Sequence, residues 1–107
     1  MEQKQHRLGY DDFAEQFVSV LSDHWSDIIR IIERQSPRVS SLLRVAIPTN
    51  LKRINGTWRI QIAVRRISQR DGLQSPRDNE IVAQAIRLWA HSEAQFRLPR
   101  ITIEFVI

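Results

Sequence analysis

Apolar residues recur every three or four positions along the first third of the chain, which is the spacing of one face of an amphipathic helix. Asp11 or Asp12 can cap the start of this helix. The pattern predicts either one long helix from about residue 11 or two helices joined near Ser22–Asp23, and it favours packing on a sheet. The apolar stripe consists of Ala14, Val18, Leu21, Trp25, Ile28 and Ile32, widened by Phe17 and Ile29.

A second helix start is the dipeptide Ser36-Pro37. Serine accepts hydrogen bonds from the first free N–H groups of a helix, and proline at the first helical position loses no bond. A short helix from Pro37 to about Arg44 is expected, with Leu42 among its inward residues.

A β-hairpin is predicted around Asn55-Gly56, a pair that adopts the positive φ angles of a tight turn. Before the turn, Val45, Ile47 and Leu51 alternate loosely, and Pro48 indicates an edge strand or a bulge. The strand after the turn alternates strictly. One face carries Trp58, Ile60, Ile62 and Val64, and the other carries Arg59, Gln61, Ala63 and Arg65.

The last third predicts a polar loop over residues 66–76, then a helix and a final strand. Asp78 is the expected cap of the helix, which runs to about His91. The stripe of this helix is Val82, Ala85, Ile86 and Trp89, and the strand alternates at Ile101, Ile103, Phe105 and Ile107.

The resulting order is α-α-β-β-α-β, an α+β fold with a small three-stranded sheet and helices packed on one of its faces. Residues 1–9 are expected to form a disordered tail, and residues 10–107 a single domain. The three tryptophans are expected to be buried in one core. The predicted core is Trp25, Ile28, Leu42, Trp58, Ile60, Ile62, Val82, Trp89 and Ile103.

Composition narrows the class of protein. The 107 residues are 42% hydrophobic and 26% charged, which is typical of a globular domain. The absence of cysteine excludes a disulfide framework or thiolate metal site and fits a reducing compartment, so a cytoplasmic location is expected. The N-terminus has no apolar segment of the signal-peptide kind, and no apolar run is long enough to span a bilayer, so no membrane partner is expected.

The residues that catalysis or cofactor binding needs are not grouped in the sequence. The three glycines are isolated, so no phosphate-cradling loop is predicted. The three histidines are far apart and lack partners at metal-ligand spacing. Asp23 and Asp27 lie one helical turn apart, where a solvated helix face is the favoured interpretation over a carboxylate pair. We therefore expect neither an enzyme nor a bound metal or cofactor.

Charge is distributed unevenly along the chain. Residues 1–37 contain four basic and seven acidic residues, and residues 38–107 contain twelve basic and five acidic ones. The basic part indicates an anionic partner, either nucleic acid or an acidic protein surface, or else an arginine-rich solvated surface. Arginine pairs bidentately with phosphate and carboxylate groups. The candidate anion- or partner-binding residues are Arg59, Arg65, Arg66, Arg70 and Arg77.

Four stretches of the chain together resemble a known family. They are Trp25-Ser-Asp-Ile-Ile, Ser36-Pro-Arg-Val-Ser-Ser-Leu-Leu-Arg-Val-Ala, Asp78-Asn-Glu-Ile-Val-Ala-Gln-Ala-Ile and Ile101-Thr-Ile-Glu-Phe. Roughly residues 25–107 resemble the C-terminal domain of the gamma/tau subunit of the bacterial DNA polymerase III clamp loader. The resemblance implies a KH-like, non-catalytic protein-interaction module that contacts a replisome protein, such as the polymerase catalytic subunit or the helicase.

Two alternatives share the predicted order of elements. One is the N-terminal domain of the bacterial replication initiator, which recruits helicase. The other is a basic KH-like module that binds nucleic acid, with weak binding of single-stranded DNA expected from the arginines. The Gly-x-x-Gly loop of nucleic-acid-binding KH domains is absent from this sequence, and no aromatic platform for stacking bases is predicted.

Overall fold

The structure, a computed structural model, describes the backbone of residues 2–93 and 98–107 and the side chains of residues 13–93 and 98–107. Five helices and three strands follow one another in this part of the chain. They are α1 (Glu2–Asp23), α2 (Trp25–Gln35), α3 (Pro37–Leu43), β1 (Ile47–Ile54), β2 (Thr57–Ala63), α4 (Ile67–Asp71), α5 (Pro76–Ser92) and β3 (Ile101–Val106).

The N-terminal helical stripe forms two helices, since α1 ends at Asp23 and α2 begins at Trp25. The indole Nε1–H of Trp25 donates to the carbonyl of Leu43 at 3.2 Å, which ties the start of α2 to the end of α3. The backbone is helical from Glu2 onward, whereas a disordered tail is predicted over residues 1–9. The side chains of residues 1–12 lie outside the described part, so the domain limit at residue 10 stays a prediction.

The sheet has the order β1-β2-β3. Strands β1 and β2 pair antiparallel through a turn in which Asn55 and Gly56 have φ angles of 50° and 76°, as predicted for this dipeptide. Strand β3 pairs parallel with β2, after a crossover that contains α4 and α5. The predicted α+β class, with helices and a small three-stranded sheet, is confirmed.

Buried and half-exposed side chains alternate along strands β2 and β3, and the helices cover the buried face of the sheet. Ile60, Ile62 and Ile103 lie on the inner face and are buried, whereas Arg59 and Gln61 lie on the half-exposed outer face. The prediction for Pro48 is also confirmed, because β1 is an edge strand and its register shifts between Pro48 and Asn50.

Burial corrects two of the predicted core residues. Trp58 and Leu42 pack against the core but are only partly buried. Before the hairpin turn, Val45 and Ile47 are exposed, and Ala46 and Pro48 are buried. The remaining predicted core residues are buried: Trp25, Ile28, Ile60, Ile62, Val82, Trp89 and Ile103.

Both Ser-Pro dipeptides start helices. The hydroxyl of Ser36 accepts from the N–H of Val39, and the hydroxyl of Ser75 accepts from the N–H of Asp78. The prediction that Asp78 caps the last helix is therefore wrong, since α5 begins two residues earlier, at Pro76. This shift leaves the Asp78 carboxylate free to make a different contact.

The free edge of β3 is held by a side chain from α5. The N–H groups of Trp58 in β2 and of Val64 just after it donate to the carbonyls of Arg100 and Val106, so alternate residues of β3 face β2 and Ile103 faces the opposite edge. The amide of Asn79 donates to the carbonyl of Ile103 and accepts from its N–H. This pair of bonds replaces a neighbouring strand at the middle of the edge.

We expect Asn79→Ala to lower the free energy of unfolding by about 1–3 kcal/mol, because two hydrogen bonds are lost at roughly 0.5–1.5 kcal/mol each. Asn79→Asp retains only the acceptor and should fall between the alanine variant and the native chain. Urea unfolding measures the cost, and hydrogen exchange should accelerate at the Ile103 amide. Gln84→Ala, at an exposed position of α5, is the control, and equal costs for the two alanine variants would contradict the assignment.

Candidate functional site

Four of the five candidate arginines lie on one segment between β2 and the first turn of α5. We call residues 65–77 the arginine loop. The polar loop predicted here contains a short helix, α4. Two sets of contacts hold this helix in place. Oε1 of Gln69 accepts from the N–H groups of Arg65 and Arg66 at 3.1 Å each. The side chain of Leu73 is buried in the core, so the segment is attached at both ends of the helix.

Arg38 braces the arginine loop from α3. Its Nη1–H donates to the carbonyl of Gly72 at 2.8 Å, and its Nη2 lies 2.7 Å from each carboxylate oxygen of Asp78. One guanidinium therefore joins α3, the end of α4 and the first turn of α5. Gly72 fits this junction closely, since a Cβ there would lie 3.3 Å from Cδ1 of Leu42.

The brace leaves a set of basic groups on the outside of the loop. Arg65, Arg66 and Arg77 are exposed, and no ion pair involves them among the residues whose side chains are described. Arg70 is half-buried, and its Nε lies 3.7 Å from the carboxylate of Asp71. Among the residues whose side chains are described, this Nε is buried without a hydrogen-bond partner, and the Arg70 side chain is 37% exposed.

Arg59 stands apart from the other candidates. It lies on the outer face of the sheet, in register with Lys52 of β1 and Thr102 of β3. Six residues of extended chain separate Arg59 from Arg65, which is roughly 20 Å at about 3.3 Å per residue. The five candidate arginines therefore form two basic regions, at opposite ends of β2, rather than one group.

Arg38 is the residue of this site that the sequence prediction missed. The sequence prediction considered only arginines of the hairpin and of the loop that follows it. A signal was present, because Arg38 and Asp78 each follow a Ser-Pro helix start at a similar distance. Pairing them nevertheless requires the fold, since 40 positions separate them in the chain.

The histidines and acidic residues are dispersed. His24 lies 3.3 Å from the carboxylate of Asp27, which also lies 3.9 Å from Arg30, so Asp27 belongs to an exposed ion-pair network rather than to a carboxylate pair with Asp23. Within the described residues, no group of three His, Cys, Asp or Glu side chains has the geometry to hold a metal ion. None of the helices in that same part of the chain combines the length and apolar character that crossing a membrane requires.

Comparisons with protein-family models, with curated proteins and with solved structures found no match to this chain.

Proposed function

We propose that this chain is a non-catalytic protein-interaction module of the bacterial replication machinery and that its arginine loop binds a carboxylate-rich surface of a replisome protein. The observation that carries the proposal is the placement of Arg65, Arg66 and Arg77. They are exposed on a segment whose backbone is held by Gln69 and Arg38. Guanidinium groups on a preorganised segment lose less entropy when they pair with carboxylates.

The replication setting comes from the resemblance of residues 25–107 to the C-terminal domain of the gamma/tau subunit. The residues of that resemblance lie at the structural junctions described above. Trp25 ties α2 to α3, Ser36 caps α3, and Asn79 holds the edge of β3. The same resemblance points to the polymerase catalytic subunit or the helicase as the partner.

Affinity capture with the tagged full chain tests the proposal. We expect a bacterial lysate to yield a polymerase or helicase component, and we expect the triple variant R65A/R66A/R77A to lose it. The matched control R30A/R44A/R100A removes the same number of positive charges elsewhere, so it should retain the component. Recovery of the component with the loop variant, or its loss with both variants, would refute binding through the arginine loop.

Direct nucleic-acid binding is the second candidate, because the same three guanidinium groups can contact phosphates. We expect only weak binding of labelled single-stranded DNA at low salt, lost near physiological salt. Three phosphate contacts predict that log affinity falls against log salt with a slope of about −2, at roughly 0.7 per contact. The loop variant should flatten this slope, and DNA should not displace the captured protein. Displacement of the protein by DNA at physiological salt would favour nucleic acid as the main partner.

A further inference from the structure

A groove of about 670 Å³ lies between α2 and α5, away from the arginine loop. The side chains of Ile31, Ala85, Leu88 and Leu98 give it an apolar floor and wall, with glutamine amides beside them. Leu88 is 54% exposed although it lies on a helix that packs in the core. The groove therefore leaves apolar surface in water that a partner could cover.

Among the described residues, the charged side chain that lines the groove is basic. Arg87 lines it, and no carboxylate does so among the described residues. The nearest acidic side chain on α5, Glu80, accepts from Nε2 of Gln84 at 3.2 Å and is thereby engaged. Charges of both signs line an adjoining hollow that shares Ile31, namely Arg30 and Arg34 with Asp27 and Glu93. A partner that carries a carboxylate beside its apolar residues is complementary to the groove at Arg87.

The walls of the groove determine which backbone can enter it. Two walls of the groove are helices, whose N–H and C=O groups are already paired within each helix, and Leu98 adds a side chain from the segment before β3. Among the described residues that line the groove, no strand edge is offered with which an extended peptide could pair its own backbone. A helix satisfies its own backbone groups and presents apolar side chains at i, i+3 or i+4, and i+7.

We propose that the groove between α2 and α5 binds an amphipathic helix of a partner protein, with a leucine-like stripe on Ile31 and Leu88 and a carboxylate on Arg87. This is a second contact surface, separate from the arginine loop. A negative result at the groove does not count against binding at the arginine loop, and the reverse also holds. The variants that change the two surfaces share no residue.

The test uses a displayed library of 16-residue helices with leucine fixed along one face and Glu, Lys or Ala varied beside it. The library is selected on the immobilised full chain. We expect the selected helices to be enriched in glutamate. Leu88→Asp should weaken them at least about tenfold, which is the scale of a central contact residue. Ile47→Asp is the matched control, because Ile47 is 55% exposed on β1, outside both proposed surfaces, and should change affinity by less than about twofold.

Charge reversal provides the second readout. With Arg87→Glu the preference should change from glutamate to lysine, whereas Arg100→Glu should leave it unchanged. Leu88→Ala repeats the apolar test without adding a charge, and near-ultraviolet circular dichroism of each variant verifies the native fold. Failure of the library to enrich, equal weakening by the two aspartate variants, or a charge preference indifferent to Arg87 would overturn the proposal. So would a concentration-dependent dimer that Leu88→Asp abolishes, because the occupant would then be a second copy of this chain.

Discussion

Replacing Trp89 with alanine is expected to lower the free energy of unfolding by about 3–5 kcal/mol, the usual cost of truncating a buried tryptophan. The side chain is 1% exposed, and its ring centre lies 6.3 Å from that of Phe17 and 5.7 Å from that of His24. It therefore joins α5 to α1 and to the link between α1 and α2. A domain of this size is stable by only about 5–15 kcal/mol, so the variant should be close to unfolding at 37 °C.

The indole N–H of Trp89 makes the phenylalanine variant informative. Nε1 is buried without a hydrogen-bond partner among the residues that the structure describes. Trp89→Phe keeps most of the ring contacts and removes that unpaired donor, so it should cost less than about 1.5 kcal/mol. Urea unfolding followed by far-ultraviolet circular dichroism measures both variants without relying on tryptophan fluorescence. Leu88→Ala, one position earlier and exposed, is the control, and an alanine cost at Trp89 as small as that control would refute the core assignment.

Removing Arg38 is expected to cost more than removing its partner Asp78. The Asp78 side chain is 5% exposed and that of Arg38 is 58% exposed. Arg38→Ala leaves a buried carboxylate without its guanidinium, at a cost of about 2–3 kcal/mol, below the range for fully buried pairs because Arg38 is half in water. Asp78→Ala leaves a guanidinium that water can solvate and that still reaches the Gly72 carbonyl, so about 1 kcal/mol is expected.

A double-mutant cycle separates this asymmetry from general loss of packing. The double variant R38A/D78A contains no unpaired buried carboxylate and should be more stable than R38A alone. Arg38→Lys should give an intermediate cost, since one ammonium replaces the two guanidinium nitrogens that bind the Asp78 carboxylate and the Gly72 carbonyl. Urea midpoints of the four chains provide the measurement. A cost for Asp78→Ala equal to or above that for Arg38→Ala would contradict the proposed role of the brace.

Short sequence motifs predicted the elements whose geometry depends on only a few neighbouring residues. Asn55-Gly56 determines a hairpin turn through its own φ angles, and Ser36-Pro37 starts a helix through its own hydroxyl and ring. Neither depends on what packs above it. The prediction at Asp78 was wrong for a related reason: Ser75, Pro76 and Asp78 are all good helix-start residues, and only the structure distinguishes the cap from the residue that α3 engages.

The partial burial of Trp58 illustrates a limit of alternation. Its place on the inner face of β2 is as predicted, but burial also depends on what covers that end of the strand. Phe13 and Phe17 of α1 contact the ring, with ring centres 5.4 and 6.0 Å away, and leave part of it uncovered. Likewise, α4 escaped prediction because Ile67 is the single apolar residue among its five, and the helix is held by Leu73 and Gln69 rather than by an apolar stripe of its own.

The sequence by itself determined the α+β class, the order of the main elements, the hairpin turn and the inward face of β2, because period, turn residues and caps act within a few positions along the chain. Tertiary structure alone decided how the arginines divide, since Arg59 lies on the outer face of the sheet while Leu73 and Arg38 anchor the segment that carries Arg65 and Arg66. It alone decided that Arg38 binds Asp78, because a contact across 40 positions depends on how α3 and α5 meet. The groove between α2 and α5 arises in the same way, where the two helices pack against each other and leave Leu88 exposed.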